Sequence, residues 1–316
     1  MLPDPAHPVP VFRFAPSPNG DLHVGHALSA AVGWRMAQAS GGRFLVRIED
    51  IDLARSKPEH LAGIFRDLAW LGLDWEQPVL MQSTRFAAYD EAARRLSAAG
   101  LLYPCFSSRS EIAAVVANAP NPRDPDGAPL YPVALRRIDE ATATVRLARG
   151  DPHALRLDLP RALSVARDKL GGRPLTFTEL SDDGQAATIE ARPEVWGDAV
   201  IMRKETPASY TIAVVVDDAF QGVTHVTRGR DLYAATGLQR LLQVVLDLPE
   251  PVYHHHRLVL DASGAKLSKS QGSASIASLR AGGASPNDIW HLAGIDPPSE
   301  SARSGHGIQT GHDIQS

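Results

Sequence analysis

A histidine pair near the start of the chain is the first group of residues whose types and spacing could do chemistry. His23 and His26 are three residues apart and follow a proline-rich loop. Residues three apart share one face of a helix, so the pair predicts a helix whose first turn carries two imidazoles. Gly25 removes a side chain between them, and the amide groups of a helix start attract phosphate. The stretch indicates a nucleotide site, although a plain polar helix face has the same spacing.

Two lysines far downstream favour the nucleotide interpretation. Lys266 and Lys269 stand in a stretch rich in glycine and serine, which suits a loop that binds phosphate. We expect their ammonium groups to neutralise pyrophosphate as it leaves ATP, while the two imidazoles donate to phosphate oxygens. The candidate catalytic residues are His23, His26, Lys266 and Lys269. The candidate ATP contacts are His23, Gly25, His26 and Lys269.

Charged residues elsewhere indicate the second substrate. Arg13 and Arg228 offer forked donors that fit a carboxylate, whereas Glu49 fits an ammonium group. Two guanidiniums and one carboxylate match an amino acid with an acidic side chain. Tyr210 contributes either its hydroxyl or only its ring, and the sequence leaves both open. ATP and an amino acid together predict that the substrate carboxylate attacks the α-phosphate and displaces pyrophosphate.

The elements that must position these residues follow an α/β pattern. An apolar strand before residue 15, a helix over 22–40 and a strand over 44–50 form a βαβ unit. Such a unit predicts a Rossmann-like parallel sheet whose ligands lie beyond the carboxyl ends of the strands. Asn19 or Asp21 is the expected cap of the helix.

A β-branched run over 211–216 predicts a further strand, buried on both faces and ending at Asp217 and Asp218. The three consecutive histidines at 254–256 are also interpreted as strand residues rather than metal ligands, because alternation points the middle one away from its neighbours.

Changes in composition divide the chain into five predicted segments. The catalytic domain begins with 1–105 and resumes over 194–250, and a smaller inserted α+β domain, rich in proline, occupies 106–193. Residues 251–296 contain the lysine loop and a short helical segment. The tail 297–316 is rich in Ser, Gly and His and is expected to be disordered.

Composition places the chain in the ordinary globular class, with 44% hydrophobic and 22% charged residues. No apolar run reaches the roughly 20 residues of a membrane span, and no secretory pattern is present, so we expect a cytoplasmic protein. The single cysteine excludes an internal disulfide framework. The formal net charge of −4 argues against non-specific coating of nucleic acid, so a nucleic-acid partner would need a local basic face.

The two phosphate-binding stretches together resemble the HIGH and KMSKS signatures of class I aminoacyl-tRNA synthetases. Residues 13–18, 47–50, 215–218 and 266–269 appear in the order and spacing of the glutamyl-tRNA synthetase family, and the resemblance covers about 9–293. It implies ATP with Mg²⁺, glutamate and tRNA as substrates, and we expect a monomer. The family's glutamate-binding positions fall on Arg13, Ala15, Ser17, Glu49, Tyr210 and Arg228.

The acceptor is inferred from the short region after the lysine loop. Full-length members carry a large helical anticodon-binding region there, whereas about one or two helices remain here. This resembles the short paralogues of the family, which attach glutamate to the queuosine base in the anticodon of tRNA(Asp). Val214 agrees, because glutamyl-tRNA synthetases typically have asparagine at this point. A truncated enzyme that charges a tRNA 3′ end and a non-catalytic RNA-binding paralogue remain as alternatives.

The inserted segment departs from the family pattern at a metal site. Many short members bind zinc through a Cys-x-Cys pair, a tyrosine and a third cysteine, and the matching residues here are Cys105, Ser107, Tyr131 and Leu135. Zinc needs four N, S or O ligands, and leucine offers none. We expect no structural zinc, and an equimolar zinc content in chelator-washed protein would contradict this.

Overall fold

The computed structural model describes residues 9–117, 122–136, 138–260, 274–298 and 314–315. Lys266 and Lys269 lie outside the described residues, as does most of the predicted tail. Within these ranges, no helix is both long and apolar enough to cross a membrane. The strands are β1 Val11–Phe14, β2 Arg43–Ile48, β3 Glu76–Met81, β4 Leu102–Cys105, β5 Ala154–Leu157, β6 Thr176–Leu180, β7 Ala186–Glu190, β8 Val200–Met202, β9 His225–Gly229, β10 Val252–His256 and β11 Ile314–Gln315. The helices are α1 Val24–Ser40, α2 Pro58–Trp70, α3 Phe86–Ala98, α4 Arg109–Ala117, α5 Glu140–Ala148, α6 Leu159–Lys169, α7 Tyr210–Phe220, α8 Ala235–Val245, α9 Ile276–Ala281 and α10 Pro286–Ala293.

The main sheet has the order β11-β3-β2-β1-β9-β10-β6-β7. Every pair in it is parallel except the hairpin of β6 and β7 at the edge. The carboxyl ends of β1, β2, β9 and β10 therefore meet along one rim, where the sequence expects the ligands. The predicted Rossmann-like α/β fold is confirmed.

Strand alternation separates apolar and charged side chains on the central strands. Phe12 and Phe14 of β1 and Val46 of β2 enter a core cluster that α1, α2, α9 and α10 cover. Arg13 and Arg47 occupy the alternate positions and therefore point to the other face. Both guanidiniums are buried on that face.

Helix α1 begins at the rim of the sheet and has an unexpected cap. His23 itself is the N-cap residue, and its Nδ1 accepts a hydrogen bond from the Gly25 amide at 3.1 Å. The prediction of Asn19 or Asp21 as the cap was wrong, because the imidazole of His23 occupies the capping position and accepts from the Gly25 amide. The first turn is thus built from the residues predicted to do chemistry.

The predicted strand over 211–216 is wrong, because these residues form helix α7. Ile212, Ala213, Val214 and Val215 are all buried there, packed in a cluster with α3, α6 and α8. A helix that is buried nearly all round shows the same continuous apolar run as a buried strand, so periodicity does not separate the two. The helical spacing places Tyr210, Val214 and Asp218 on one face at i, i+4 and i+8.

The segment assigned to the insertion divides between two sheets. Strands β4, β5 and β8 form a separate three-stranded antiparallel sheet. Strands β6 and β7, at 176–190, pair instead with the edge of the main sheet through β10, although the sequence interpretation placed them in the insertion. The proposed division into domains stays a prediction.

Two buried helical glycines give opposite predictions for alanine substitution. A Cβ at Gly237 in α8 would lie 2.8 Å from the Arg192 amide nitrogen and 2.9 Å from the Arg192 carbonyl carbon, both backbone atoms that cannot turn aside. A Cβ at Gly63 in α2 would meet nothing closer than 3.6 Å.

We expect Gly237→Ala to lower the free energy of unfolding by about 1–3 kcal/mol through overpacking. We expect Gly63→Ala, the matched control, to raise it by about 0.5–1 kcal/mol. Urea denaturation of both variants tests this, and equal shifts of one sign would contradict it.

Candidate active site

A cavity of about 480 Å³ opens at the carboxyl rim of β1, β2, β9 and β10. It brings together all the predicted site residues that lie in the described part of the chain. These are Arg13, Ala15, Ser17, His23, Gly25, His26, Glu49, Tyr210 and Arg228. Ala15 and Ser17 belong to the loop between β1 and α1, so the wall of the cavity contains main chain as well as side chains.

The two imidazoles at the start of α1 have defined tautomers. Nδ1 of His23 accepts from the Gly25 amide, and Nδ1 of His26 accepts from the His23 amide at 3.1 Å. A neutral imidazole that accepts at Nδ1 carries its proton on Nε2. Each ring is therefore a donor at Nε2, and the ring centroids lie 3.8 Å apart. Two donors at a helix N-terminus are suited to phosphate oxygens.

The segments directly before and after residues 261–273 both contact this site. Leu258 and Val259 line the cavity before that stretch. After it, Ser275 forms an antiparallel bridge with His23, and the Ile276 amide donates to the Leu22 carbonyl at 2.8 Å. The catalytic roles of Lys266 and Lys269 stay predictions, because both lysines lie outside the described residues.

A buried charge cluster lies against the cavity, and sequence reasoning missed two of its members. Asp218 of α7 accepts from Nε of Arg13 at 3.0 Å and from Nη1 of Arg47 at 2.6 Å. Nη2 of Arg47 also donates to Glu49 at 3.2 Å. The charge of Arg13 is therefore balanced by Asp218 within the protein. Recognising 210–220 as a helix would have revealed Asp218, because it lies two turns after Tyr210.

The pKa values of the two carboxyl groups in this cluster shift in opposite directions. Burial raises the pKa of the Glu49 carboxyl, and Arg47 and Arg13 offset this only in part. Burial also disfavours ionisation of Asp218, but Arg13 and Arg47 outweigh it and hold the pKa of that carboxyl below its usual value. Asp218 is thus a fixed anion, whereas the charge of Glu49 is only partly compensated against its burial, which suits an ammonium group from a ligand.

Arg228 of β9 differs from Arg13 in having neutral partners. Its Nε donates to His255 Nε2 at 3.1 Å, its Nη1 to Gln239 Oε1 at 2.8 Å and its Nη2 to Thr236 Oγ1 at 2.7 Å. Among the described residues no carboxylate forms an ion pair with this guanidinium, which is 4% exposed. Three of its five N–H groups are used, and the residue lines the cavity. A buried guanidinium without a counter-ion is a strong site for a carboxylate ligand.

Tyr210 stands at the first turn of α7, not at the start of a strand. It lines the main cavity and also a smaller one of about 120 Å³ beside it, next to Glu49 in both. Burial raises the pKa of its phenol, so the hydroxyl stays protonated at neutral pH. Both alternatives for Tyr210, a hydrogen bond to a ligand or packing of the ring, remain open.

The four residues matched to the zinc ligands of the short family lie together. The Cys105 thiol donates to the Tyr131 hydroxyl at 3.2 Å, Ser107 lies 3.4 Å from the same oxygen, and that hydroxyl donates to the Leu135 carbonyl at 3.0 Å. Within the described part of the chain, no cluster of three or more His, Cys, Asp or Glu residues could hold a metal ion. The expected lack of zinc stays a prediction, and the zinc content of chelator-washed protein tests it.

A parallel sheet with a cavity at its carboxyl rim and beside a helix N-terminus is typical of nucleotide-binding α/β enzymes. A family model described as tRNA synthetases class I (E and Q), catalytic domain, matches residues 10–292. The chain belongs to this family and is a ligase of the aminoacyl-tRNA synthetase type.

Relatives refine this assignment. The chain is 44% identical to a protein named glutamyl-Q tRNA(Asp) synthetase from Rhodobacter capsulatus, and the match covers 90% of this chain and 100% of that protein. It is 38% identical to glutamate-tRNA ligase 2 from a Methylobacterium species, over 93% of this chain but 62% of that protein. The predicted resemblance to the short family is confirmed.

A solved structure supports the fold. Glutamate-tRNA synthetase from Elizabethkingia anophelis matches with a TM-score of 0.72 and 23% identity, covering 91% of this chain and 61% of that one. The chain thus spans about three fifths of this solved structure.

Proposed function

We propose that this protein activates glutamate with ATP, without tRNA, and transfers the glutamyl group to the queuosine base in the anticodon of tRNA(Asp). The full-length match to a glutamyl-Q tRNA(Asp) synthetase supports the acceptor. The proposal includes a cytoplasmic location, which fits tRNA as a substrate, and a monomeric state.

The observation that carries the choice of glutamate is the buried, uncompensated guanidinium of Arg228. Its remaining N–H groups donate to the side-chain carboxylate of glutamate, because a carboxylate supplies the missing counter-charge. Glu49 holds the α-ammonium group, and Arg13, Ala15 and Ser17 line the same cavity. Glutamine lacks the negative charge and leaves Arg228 unbalanced, so it is discriminated against.

Activation places the α-carboxylate of glutamate against the α-phosphorus of ATP. A carboxylate oxygen forms the new P–O bond, the bond to the bridging oxygen breaks, and pyrophosphate leaves with its electron pair. His23 and His26 donate from Nε2 to phosphate oxygens, and Lys266 and Lys269 neutralise the leaving group. Mg²⁺ enters as the counter-ion of the ATP phosphates, and we assign no residue to it.

Transfer uses a hydroxyl of the cyclopentene ring of queuosine as the nucleophile. This oxygen attacks the glutamyl carbonyl carbon, the hydroxyl proton is lost, and AMP leaves with the electrons of the mixed-anhydride bond. The product is an ester on the modified base, and the terminal ribose of the tRNA takes no part.

Two measurements test the proposal. Pyrophosphate exchange into ATP should depend on glutamate and proceed without tRNA. Labelled glutamate should then be transferred to tRNA(Asp) that carries queuosine and not to the same tRNA without it. Equal labelling of tRNA(Asp) with and without queuosine would overturn the base-modification step. Labelling of the 3′ end of tRNA(Glu) would show that the protein charges tRNA instead. No exchange at all would favour the non-catalytic alternative.

A further inference from the structure

A buried histidine lies behind Arg228, on the neighbouring strand β10, and the proposed mechanism gives it no role. Nε2 of His255 accepts from Nε of Arg228 at 3.1 Å. On its other side, Nδ1 of His255 lies 2.8 Å and 3.0 Å from the two carboxylate oxygens of Glu179. Glu179 belongs to β6, which pairs in parallel with β10. The three side chains form a line from the hairpin at the sheet edge to the cavity.

This line fixes the tautomer of the imidazole. A carboxylate is an acceptor, so the proton of a neutral His255 lies on Nδ1, where Glu179 accepts it. The Nε2 lone pair is then directed at the guanidinium. Burial lowers the pKa of His255, which favours the neutral ring, and Thr236 Oγ1 also lies 3.1 Å from Nε2.

The position of the acid matters as much as the hydrogen bonds. A carboxylate in direct contact with Arg228 would orient the guanidinium but would also cancel its charge and compete with a carboxylate ligand. Glu179 instead acts through a neutral ring. The guanidinium receives an acceptor at Nε, so its plane is held, yet it keeps its full charge toward the cavity.

We infer that Glu179 and His255 are positioning residues, which orient Arg228 toward the side-chain carboxylate of the amino acid without neutralising it. The inference rests on the proposed role of Arg228 in binding glutamate. It adds a specificity function to the hairpin of β6 and β7, which contributes Glu179 to the main sheet.

Steady-state pyrophosphate exchange with separate titrations of glutamate and ATP tests the inference. His255→Phe keeps a ring of similar size but removes the acceptor, and Glu179→Ala removes the group that fixes the tautomer. We expect each to raise KM for glutamate about 10- to 100-fold, because a charge-assisted hydrogen bond that orients Arg228 is lost. KM for ATP should change less than about twofold, because the site of the imidazole pair is untouched.

Matched variants separate positioning from general damage. His255→Gln offers an amide oxygen as acceptor and should recover most of the affinity for glutamate. His254→Phe is the control on the same strand, since His254 hydrogen-bonds to the Leu180 carbonyl rather than to Arg228, and it should leave KM for glutamate within about twofold. Glu179 is partly exposed, so Glu179→Ala keeps the test valid if His255→Phe fails to fold.

The outcomes distinguish this inference from the proposed function. If the unaltered protein showed no glutamate-dependent pyrophosphate exchange, the proposed function itself would be wrong. Normal exchange in the unaltered protein, with an unchanged KM for glutamate in both His255→Phe and Glu179→Ala, would overturn only the positioning role. Equal increases in KM for glutamate and ATP would also overturn it, because they indicate a structural effect.

Discussion

Replacement of Arg228 with alanine should lower kcat/KM for glutamate in pyrophosphate exchange by about 100- to 1000-fold. Removing one partner of a buried charge pair costs about 2–5 kcal/mol, and 1.36 kcal/mol corresponds to a factor of ten. The loss should appear in KM for glutamate, because the side-chain carboxylate is far from the reacting phosphorus and its contact is made in both ground and transition states. KM for ATP should stay nearly constant.

Arg230→Ala is the matched control for this prediction. Arg230 lies two residues further along, is exposed, and is absent from the wall of the cavity. Its loss removes one positive charge from the same region and should change kcat/KM for glutamate by less than about threefold, because exposed charges interact weakly. Similar losses in the two variants would show that net charge, not the contact of Arg228 with its ligand, determines glutamate binding.

Asp218→Asn should have the largest effect on stability of any isosteric change in the site. The carboxylate is buried between Arg13 and Arg47, and an amide of the same size leaves Arg13 without a counter-ion and Arg47 with Glu49 alone. We expect the free energy of unfolding to fall by about 3–5 kcal/mol, the cost of removing one partner of a buried pair. Urea denaturation at neutral pH measures it. Glu76→Gln, which breaks the exposed Arg43–Glu76 pair, is the control and should cost about 0.5 kcal/mol or less.

The pH dependence of this difference follows from the lowered pKa of Asp218. A carboxyl whose pKa is lower in the folded than in the unfolded protein stabilises the fold at every pH above its unfolded pKa, about 3.9. The stabilisation is lost as the pH falls further, through the folded pKa. The difference between the unaltered protein and Asp218→Asn should therefore be constant from pH 5 to pH 7 and shrink below about pH 4. A difference that grows on acidification would contradict the assignment of Asp218 as an anion.

The sheet and the imidazole pair could be predicted because their signals are local. The apolar strand, the loop, the helix over 22–40 and the next strand form one unit that is continuous in sequence, and a βαβ unit has essentially one geometry. The spacing of His23 and His26 survives in the first turn of α1. The cap itself was missed, because histidine is an unusual cap residue and asparagine and aspartate stood nearby.

The charge cluster and helix α7 could not be predicted by the same reasoning. The run over 211–216 is apolar on every side because other helices surround it, so its pattern carries no period. In the sequence, Arg47 was recognised only as part of a motif and was given no partner. Its contact with Asp218 joins residues that are 171 positions apart in the chain. Such partners depend on how elements pack, which a single sequence does not report.

Arg228 was predicted to bind glutamate and lines the cavity, but the reason that it is suited to a carboxylate lies in its surroundings. Thr236, Gln239 and His255 are all neutral, and none of them stands out as a functional residue in the sequence. His255 in particular was interpreted only as a strand residue among three histidines. Its contact with Glu179 depends on the pairing of β6 with β10. This pairing was not predicted, because residues 176–190 were assigned to the insertion.

The uncompensated charge of Arg228 also links ligand binding to the folding equilibrium. The guanidinium of Arg228 is buried, and no acidic side chain in the described ranges forms an ion pair with it, so its desolvation is only partly offset by neutral partners. A ligand that binds only the folded state raises the free energy of unfolding by RT ln(1 + [L]/Kd), so a carboxylate ligand of Arg228 should stabilise the fold. Higher glutamate concentrations should therefore favour the folded state as well as activation.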